Sequence, residues 1–400
     1  MSRGIPRREL LGSAASLFGL AGLTKSSAAL ACALLGPPAS IPQTEVPTDA
    51  DGMIGYSRQF LTLEMPMSRL TSWITPLDSF FVRNNLLMPT VDPSDWRLTV
   101  DGEVERPMTL TYPEFMQLGS VSVTNTIECA GNGRVNYRPP IGGVRWGRGG
   151  VGTAVFEGPA LRDVLRHAVL KPTAKHVAFR GLDIVPQGAS EFIRSIPIDK
   201  ALDGNTLLAT RMNGAPLTPE HGFPVRSLVP GWIGAASIKW LQEIRVLPHE
   251  FDGFYMNPGY RIPVAAGSSA APAQSQTISL TSLRVKSIIA QPAEGAVLDL
   301  PQQGSIAILG ASWAGESEIA RVDVSLDGGT TWHVSNLDPD HARYAWRLWR
   351  YEWRPRSPGP YTLLSRATDS HGRTQPMEPV WNAGGYLWNG VDRIHVQVRE

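Results

Sequence analysis

Helical repeats of apolar residues are few and short in this chain, and glycine and proline break it up from end to end, 39 Gly and 33 Pro in 400 residues. Proline lacks a backbone donor and clashes with a preceding helical turn. Glycine loses the most conformational freedom when it is ordered. A chain punctuated this way favours short strands and irregular loops over helical bundles. Its 42% hydrophobic and 18% charged content is that of a globular protein with a sizeable core. Its length exceeds one ordinary domain and suits two domains plus a leader. A formal charge of +1 supplies no long-range field toward nucleic acid, which is not expected as a partner.

The spacing predicts helices over 113–118, with proline in the first turn, and over 160–168, where Leu161, Val164, Leu165 and Ala168 share a face. Strands are expected at 96–100, 122–127 and 176–179. Strands with helices inserted imply a mixed α+β domain over 45–265 rather than a parallel doubly wound sheet. Residues 264–277 are small, polar and proline-punctuated, as a linker is. Beyond them, apolar and polar residues alternate at 321–326, 361–367 and 393–398, with a turn at Asp327-Gly328-Gly329. This pattern predicts an immunoglobulin-like β-sandwich over 278–400.

At the N-terminus Arg7-Arg8 precede an apolar run at 10–23, too short to span a membrane with ease. We read 1–33 as a twin-arginine signal peptide, the leader of proteins exported already folded, which places the chain in the periplasm with no membrane span after cleavage. Folding before export suits a chain that carries a cofactor inserted in the cytoplasm. Of the two cysteines, Cys32 lies in the leader, leaving Cys129 as a single thiol in an oxidising compartment. Taken alone, Cys129 reads equally well as a metal ligand or as a small buried apolar residue.

The chain has no Cys-x-x-Cys pair, haem-attachment motif, phosphate loop or His-Glu-x-x-His helix. Its notable feature is Thr126-Ile127-Glu128-Cys129-Ala130-Gly131-Asn132-Gly133-Arg134: a strand delivers a thiol onto a small-residue turn, with a cation five residues on. A nearby cation favours the thiolate form.

Glu-Cys-Ala-Gly-Asn-Gly-Arg resembles the metal-binding signature of the sulfite oxidase family of molybdopterin oxidoreductases. Four further segments resemble that family in order and spacing: Phe80-Phe81-Val82-Arg83-Asn84-Asn85; Asn213-Gly214 leading to His221-Gly222-Phe223-Pro224-Val225-Arg226; Val229-Pro230-Gly231 followed by Ser237-Ile238-Lys239-Trp240-Leu241; and Val322 to Gly329 with Trp332. The resemblance spans residues 55–400. It implies a molybdopterin-binding catalytic domain, an immunoglobulin-like dimerisation domain, and a homodimer.

The resemblance also implies that Cys129 binds molybdenum beside the dithiolene sulfurs of the pterin. Phe81, Arg83, Asn84, Asn85, Asp183, His221, Arg226, Ser237, Ile238 and Lys239 would hold the Mo-molybdopterin. Arg83, Arg134, Trp146 and Tyr260 would line the substrate pocket, with Tyr255 as the rival to Tyr260. Asn85 stands where many members have histidine, Ala236 where eukaryotic members have arginine, and Gly384 where they have another. These departures resemble bacterial periplasmic sulfite dehydrogenases. The implied activity is oxidation of sulfite to sulfate, with electrons passed to a c-type cytochrome. The alternative is a sulfane dehydrogenase subunit of a thiosulfate-oxidising complex, for which Cys-Ser-Gly-Asn would be expected in place of Cys-Ala-Gly-Asn.

Overall fold

The first large sheet runs, from edge to edge, through Met108–Thr111, Arg97–Gly102, Leu241–Leu247, His176–Gly181 and Ile193–Pro197. Its neighbours are antiparallel except Arg97–Gly102 with Leu241–Leu247, so this is a mixed sheet, as the α+β reading requires. The computed structural model describes residues 52–264 and 277–400. The leader with Arg7, Arg8 and Cys32, and nearly all of the 264–277 linker, lie outside the described residues.

Sequence periodicity explains the elements that cover this sheet. Leu161, Val164, Leu165 and Ala168 fall at positions i, i+3, i+4 and i+7 of the helix Leu161–Ala168, and all four are buried. They pack with Leu98, Val100, Phe179, Ile244 and Val246 from the sheet. The predicted helix at 113–118 is a single turn, Tyr112–Phe115. Thr111 and Glu114 form a capping box there, and Pro113 needs no amide partner at that position.

A second sheet, in the order Ala215–Pro216, Arg211–Met212, Val151–Gly158, Val121–Glu128, is antiparallel throughout. A small three-stranded sheet holds Val82–Arg83 against Thr62–Glu64. These two sheets carry Cys129 and Arg83 at their strand ends.

Residues 277–400 form a sandwich. One sheet comprises Lys286–Gln291, Ile306–Trp313, Arg347–Trp353 and Asn336–Leu337. The other comprises Val297–Asp299, Asp392–Arg399, Gly359–Asp369, Ile319–Ser325 and His333–Val334. Asp392–Arg399 alternates strictly between buried and exposed residues, so Ile394, Val396 and Val398 enter the core with Ile289, Trp349, Trp353 and Leu363.

The two halves share a core as well as a chain. Met65, Ala130, Val151 and Ile233 from the first pack with Ile288, Ala311, Trp313, Trp346 and Leu387 from the second. Backbone bonds cross the seam: Thr126 N–H to Tyr344 O (2.8 Å), Ile233 N–H to Thr281 O (2.9 Å), and Leu387 N–H to Ala130 O (2.8 Å). At the centre the buried Lys286 Nζ donates to Glu128 Oε1 at 2.7 Å, while Trp313 Nε1 donates to Glu128 Oε2 at 2.8 Å. Asn132 Nδ2 also donates to Glu128 Oε1 (2.9 Å), closing the network around the Cys129 turn.

A buried ion pair broken on one side leaves an uncompensated charge. Lys286→Met is therefore expected to lower stability by about 3–5 kcal/mol. Glu128→Gln/Lys286→Met should be less destabilised than Lys286→Met alone, as read by denaturant midpoints. Equal losses in the single and double variants would show that the pair itself is not what joins the halves.

Candidate functional site: a cleft joining one thiol to buried cations

The strand Val121–Glu128 ends where its ladder runs out, and Cys129 follows on a tight turn. Cys129 N–H donates to Gly150 O (2.8 Å), Asn132 N–H donates back to Cys129 O (2.9 Å), and Gly150 N–H donates to Asn132 Oδ1 (3.0 Å). The thiol is unpaired and half-buried. It lines a cleft enclosing about 700 Å³ of empty space, part of it open to solvent. Burial pushes the thiol's pKa up, while the Gly131 backbone and the charges of Arg83 and Arg134 oppose that shift. A bound cation would displace the proton and remove the cost of the buried thiolate.

Eleven of the fourteen residues singled out in the sequence line this one cleft: Phe81, Arg83, Asn84, Asn85, Cys129, Asp183, His221, Arg226, Ser237, Lys239 and Tyr260. They come from six separate stretches of chain. Arg226 donates from Nη1 to His221 O (3.1 Å) and from Nη2 to Ser237 O (3.3 Å). Its Nε has no partner, and no carboxylate among the described residues is within ion-pair distance of it. Lys239 Nζ donates to Glu220 O (2.8 Å) and, in a close contact, to Asn84 Oδ1. Gly222, at φ 105°, admits this lysine: a Cβ there would stand 3.0 Å from Lys239 Cβ.

Burial pulls Arg226 down to about 10 and Lys239 well below the ordinary lysine range, the latter also through the neighbouring Arg226 charge. His221 falls to about 3, first by burial and then by Lys239 and Arg226, so its imidazole is neutral at physiological pH. Asp183 rises to about 6 by burial, with Lys239 opposing.

Three of the fourteen stand off the cleft wall. Trp146 is fully buried behind Phe81, their centroids 6.0 Å apart and nearly perpendicular, and its other edge meets Tyr56. Ile238 points into the sheet core, and its backbone pairs with Ser227. Arg134 is held back by its hydrogen bonds. Its guanidinium donates to Val144 O (3.1 Å), Gly384 O (3.1 Å) and Gly385 O (3.3 Å), and lies over the Tyr386 ring. The absence of a side chain at Gly385 lets that backbone close on it, since a Cβ there would be 2.8 Å from Arg134 Nε. Arg134 therefore acts on the thiol through charge, from behind the wall. Between the rival phenols, Tyr260 lines the cleft, whereas Tyr255 is off its wall and packs against Phe254 and the wall residue Phe192.

The oxidoreductase molybdopterin binding domain family matches residues 85–255, and the Mo-co oxidoreductase dimerisation domain family matches residues 277–399. Mitochondrial sulfite oxidase of Homo sapiens is 35% identical over 375 residues, covering 90% of this chain and 68% of that protein. The chain belongs to the sulfite oxidase family. Sulfite oxidase of Gallus gallus is 36% identical over 373 residues, 88% of this chain and 79% of that protein. The crystal structure of the sulfane dehydrogenase SoxCD from Paracoccus pantotrophus superposes with a TM-score of 0.73 at 25% identity over 84% of each chain.

As a member of this family, the chain is an oxidoreductase whose cofactor is molybdenum-molybdopterin. The cleft fits that group on its own terms. Arg226 Nε and Asn84 Nδ2 are buried donors without acceptors, beside two buried cations lacking a full counter-charge. A phosphate supplies both acceptors and charge. Among the described residues no cluster of three or more His, Cys, Asp or Glu side chains could hold a metal. A metal at Cys129 must therefore arrive with ligands of its own, as a dithiolene-bound metal does.

Sequence reasoning missed Phe192 and Glu220 on the wall, and Glu128, Lys286, Arg194 and Tyr386 behind it. Glu128 adjoins the motif cysteine, which was a usable signal. The other three behind the wall have no local pattern.

The sign of the acid response follows from His221. Its folded-state value is depressed from 6.5 to about 3. As pH falls through that window the unfolded chain gains a proton that the folded chain refuses, and stability drops by about 1.4 kcal/mol per pH unit from this residue. In urea unfolding at stepped pH, His221→Gln is expected to show a shallower acid slope by that amount. Identical slopes would mean that His221 is not held neutral.

Proposed function

We propose that this chain is a sulfite dehydrogenase that oxidises sulfite to sulfate. The observation that carries the reading is the convergence of one metal-competent thiol, Arg83 and the Tyr260 phenol on a single cleft, beside a cation cluster suited to a phosphate. The chemistry balances as sulfite plus water giving sulfate, two protons and two electrons. When bound, the molybdenum cofactor supplies oxygen transfer and uptake of the electron pair. Arg226, Lys239, Asn84, His221 and Ser237 would hold the cofactor's phosphate side, and Cys129 would ligate the metal.

Arg83 captures the substrate anion and neutralises its charge as that charge redistributes, from a site already oriented before reaction. It leaves the strand Val82–Arg83, whose pairing with Thr62 fixes its root, and donates to Asn84 O. Burial lifts the Tyr260 phenol to about 12, so its hydroxyl keeps its proton at neutral pH and donates to a substrate oxygen. Arg134 adds positive potential from behind without touching the anion. The two electrons leave singly to a c-type cytochrome. Export through the twin-arginine leader to the periplasm and homodimerisation through the sandwich complete this reading.

The likeness to the sulfane dehydrogenase favours one rival, oxidation of sulfur attached to a carrier protein. Turnover with sulfite and cytochrome c, against thiosulfate-loaded carrier protein, separates the two. Sulfite turnover in the wild type, its loss in Cys129→Ser, and a KM for sulfite raised roughly ten- to a hundredfold in Arg83→Ala are expected, the last being the worth of a hydrogen bond to a charged group. A molybdenum-loaded protein inert toward sulfite but active on the carrier would replace this reading with its rival.

A further inference from the structure

Arg194 lies on the strand Ile193–Pro197 and is one of the largest fully buried side chains, 1% exposed. It makes no ion pair among the described residues, and its Nε has no acceptor. Burying a guanidinium this completely costs free energy, and such groups are normally paired with a carboxylate. Here the partners are two backbone carbonyls and an aromatic ring. Nη1 donates to Tyr255 O, Nη2 donates to Leu280 O (3.2 Å), and Cζ sits 5.0 Å from the centroid of Tyr260.

All three contacts converge on one residue. Tyr255 lies in the turn that leads into Tyr260, and that turn is closed by Gly259 N–H to Phe254 O (2.8 Å). Leu280 N–H donates to Tyr260 O at 2.8 Å. Tyr260 has φ 51°, left-handed backbone that a tyrosine adopts only when its surroundings impose it. The ring is stacked on Tyr386 with centroids 5.3 Å apart, and its hydroxyl reaches Asn85 Oδ1 at 3.4 Å on the cleft wall.

We propose that Arg194 is the positioning residue for Tyr260: it ties both backbone anchors of the strained turn and holds the ring by cation–π attraction, so that the hydroxyl faces the cleft. The proposal rests on the sulfite reading only for its kinetic readout. Loss of the guanidinium lets Tyr260 relax and disorders the phenol, while Cys129, Arg83 and the phosphate cations stay in place.

The test uses full-length molybdenum-loaded protein, with metal content measured for each variant. Arg194→Met is expected to lower kcat/KM for sulfite about tenfold, and Arg194→Lys to lose less because the charge remains over the ring. In a Tyr260→Phe background, Arg194→Met should add less than about twofold, because the two residues act as one unit. Independently of substrate, Arg194→Met should speed exchange of the Leu280 amide hydrogen about tenfold or more, and Tyr260→Phe should not. Equal fractional losses in the two backgrounds, or an unchanged Leu280 exchange rate, would overturn the proposal. Should Arg194→Met fail to accumulate, Arg194→Lys carries the same cycle. A wild type without sulfite turnover sinks the functional reading alone, and the Leu280 exchange rate then decides for Arg194.

Discussion

The Glu128 carboxylate, buried at the seam between the two halves, is the contact on which the site depends. It accepts hydrogen bonds from Lys286 and Trp313 of the sandwich and from Asn132 of the cysteine turn. A carboxylate in such a place is tolerated only because a cation and two further donors satisfy it. The residue beside the metal-competent thiol is thereby fixed to both halves at once. Leu387 N–H to Ala130 O adds a second tie on the other side of the thiol. The sandwich is thus part of the wall behind the cysteine as well as the half matched by a dimerisation domain.

The cleft concentrates positive charge that the protein alone does not balance. Arg83, Arg226 and Lys239 line it, and among the described residues only Asp183 and Glu220 are acids on the same wall. Depressed values for Arg226 and Lys239 record the strain of holding those charges out of water. A ligand bearing a phosphate relieves that strain and binds the folded state alone, so cofactor loading and stability are linked. Arg134 and Arg194 stand behind this layer, each satisfied mainly by backbone carbonyls, and they raise the local potential without closing the cleft with carboxylates. A site that takes up an anionic cofactor and an anionic substrate needs that surplus.

Much of the architecture was legible. Period-two alternation at 393–398 corresponds to the strand Asp392–Arg399, and the apolar face of 160–168 to the helix Leu161–Ala168. Both patterns are local, and burial on one face is all they require. The cysteine turn was legible too, because a strand end followed by small residues is a short-range signal. That Arg134, Trp146 and Ile238 stand off the cleft wall has no local signal, because exposure to a cleft is settled between segments. Arg134 is drawn back by carbonyls 250 residues away, which reach it only where glycines leave room.

What the amino-acid order alone determined was which side chains are available: the Cys129 thiol in its small-residue motif, a set of arginines and lysines, and the strand and turn propensities that place each of them. Which of these share a cavity was decided by tertiary packing. Arg83, Cys129, Arg226, Lys239 and Tyr260 meet only when strands and loops of separate sheets close on one another, and Lys286 finds Glu128 across 158 positions of chain. The reason is physical. Periodicity reports what each residue's own segment buries, whereas the balance of buried charge that makes a binding site is settled between segments, where desolvation must be offset by partners that no local pattern specifies.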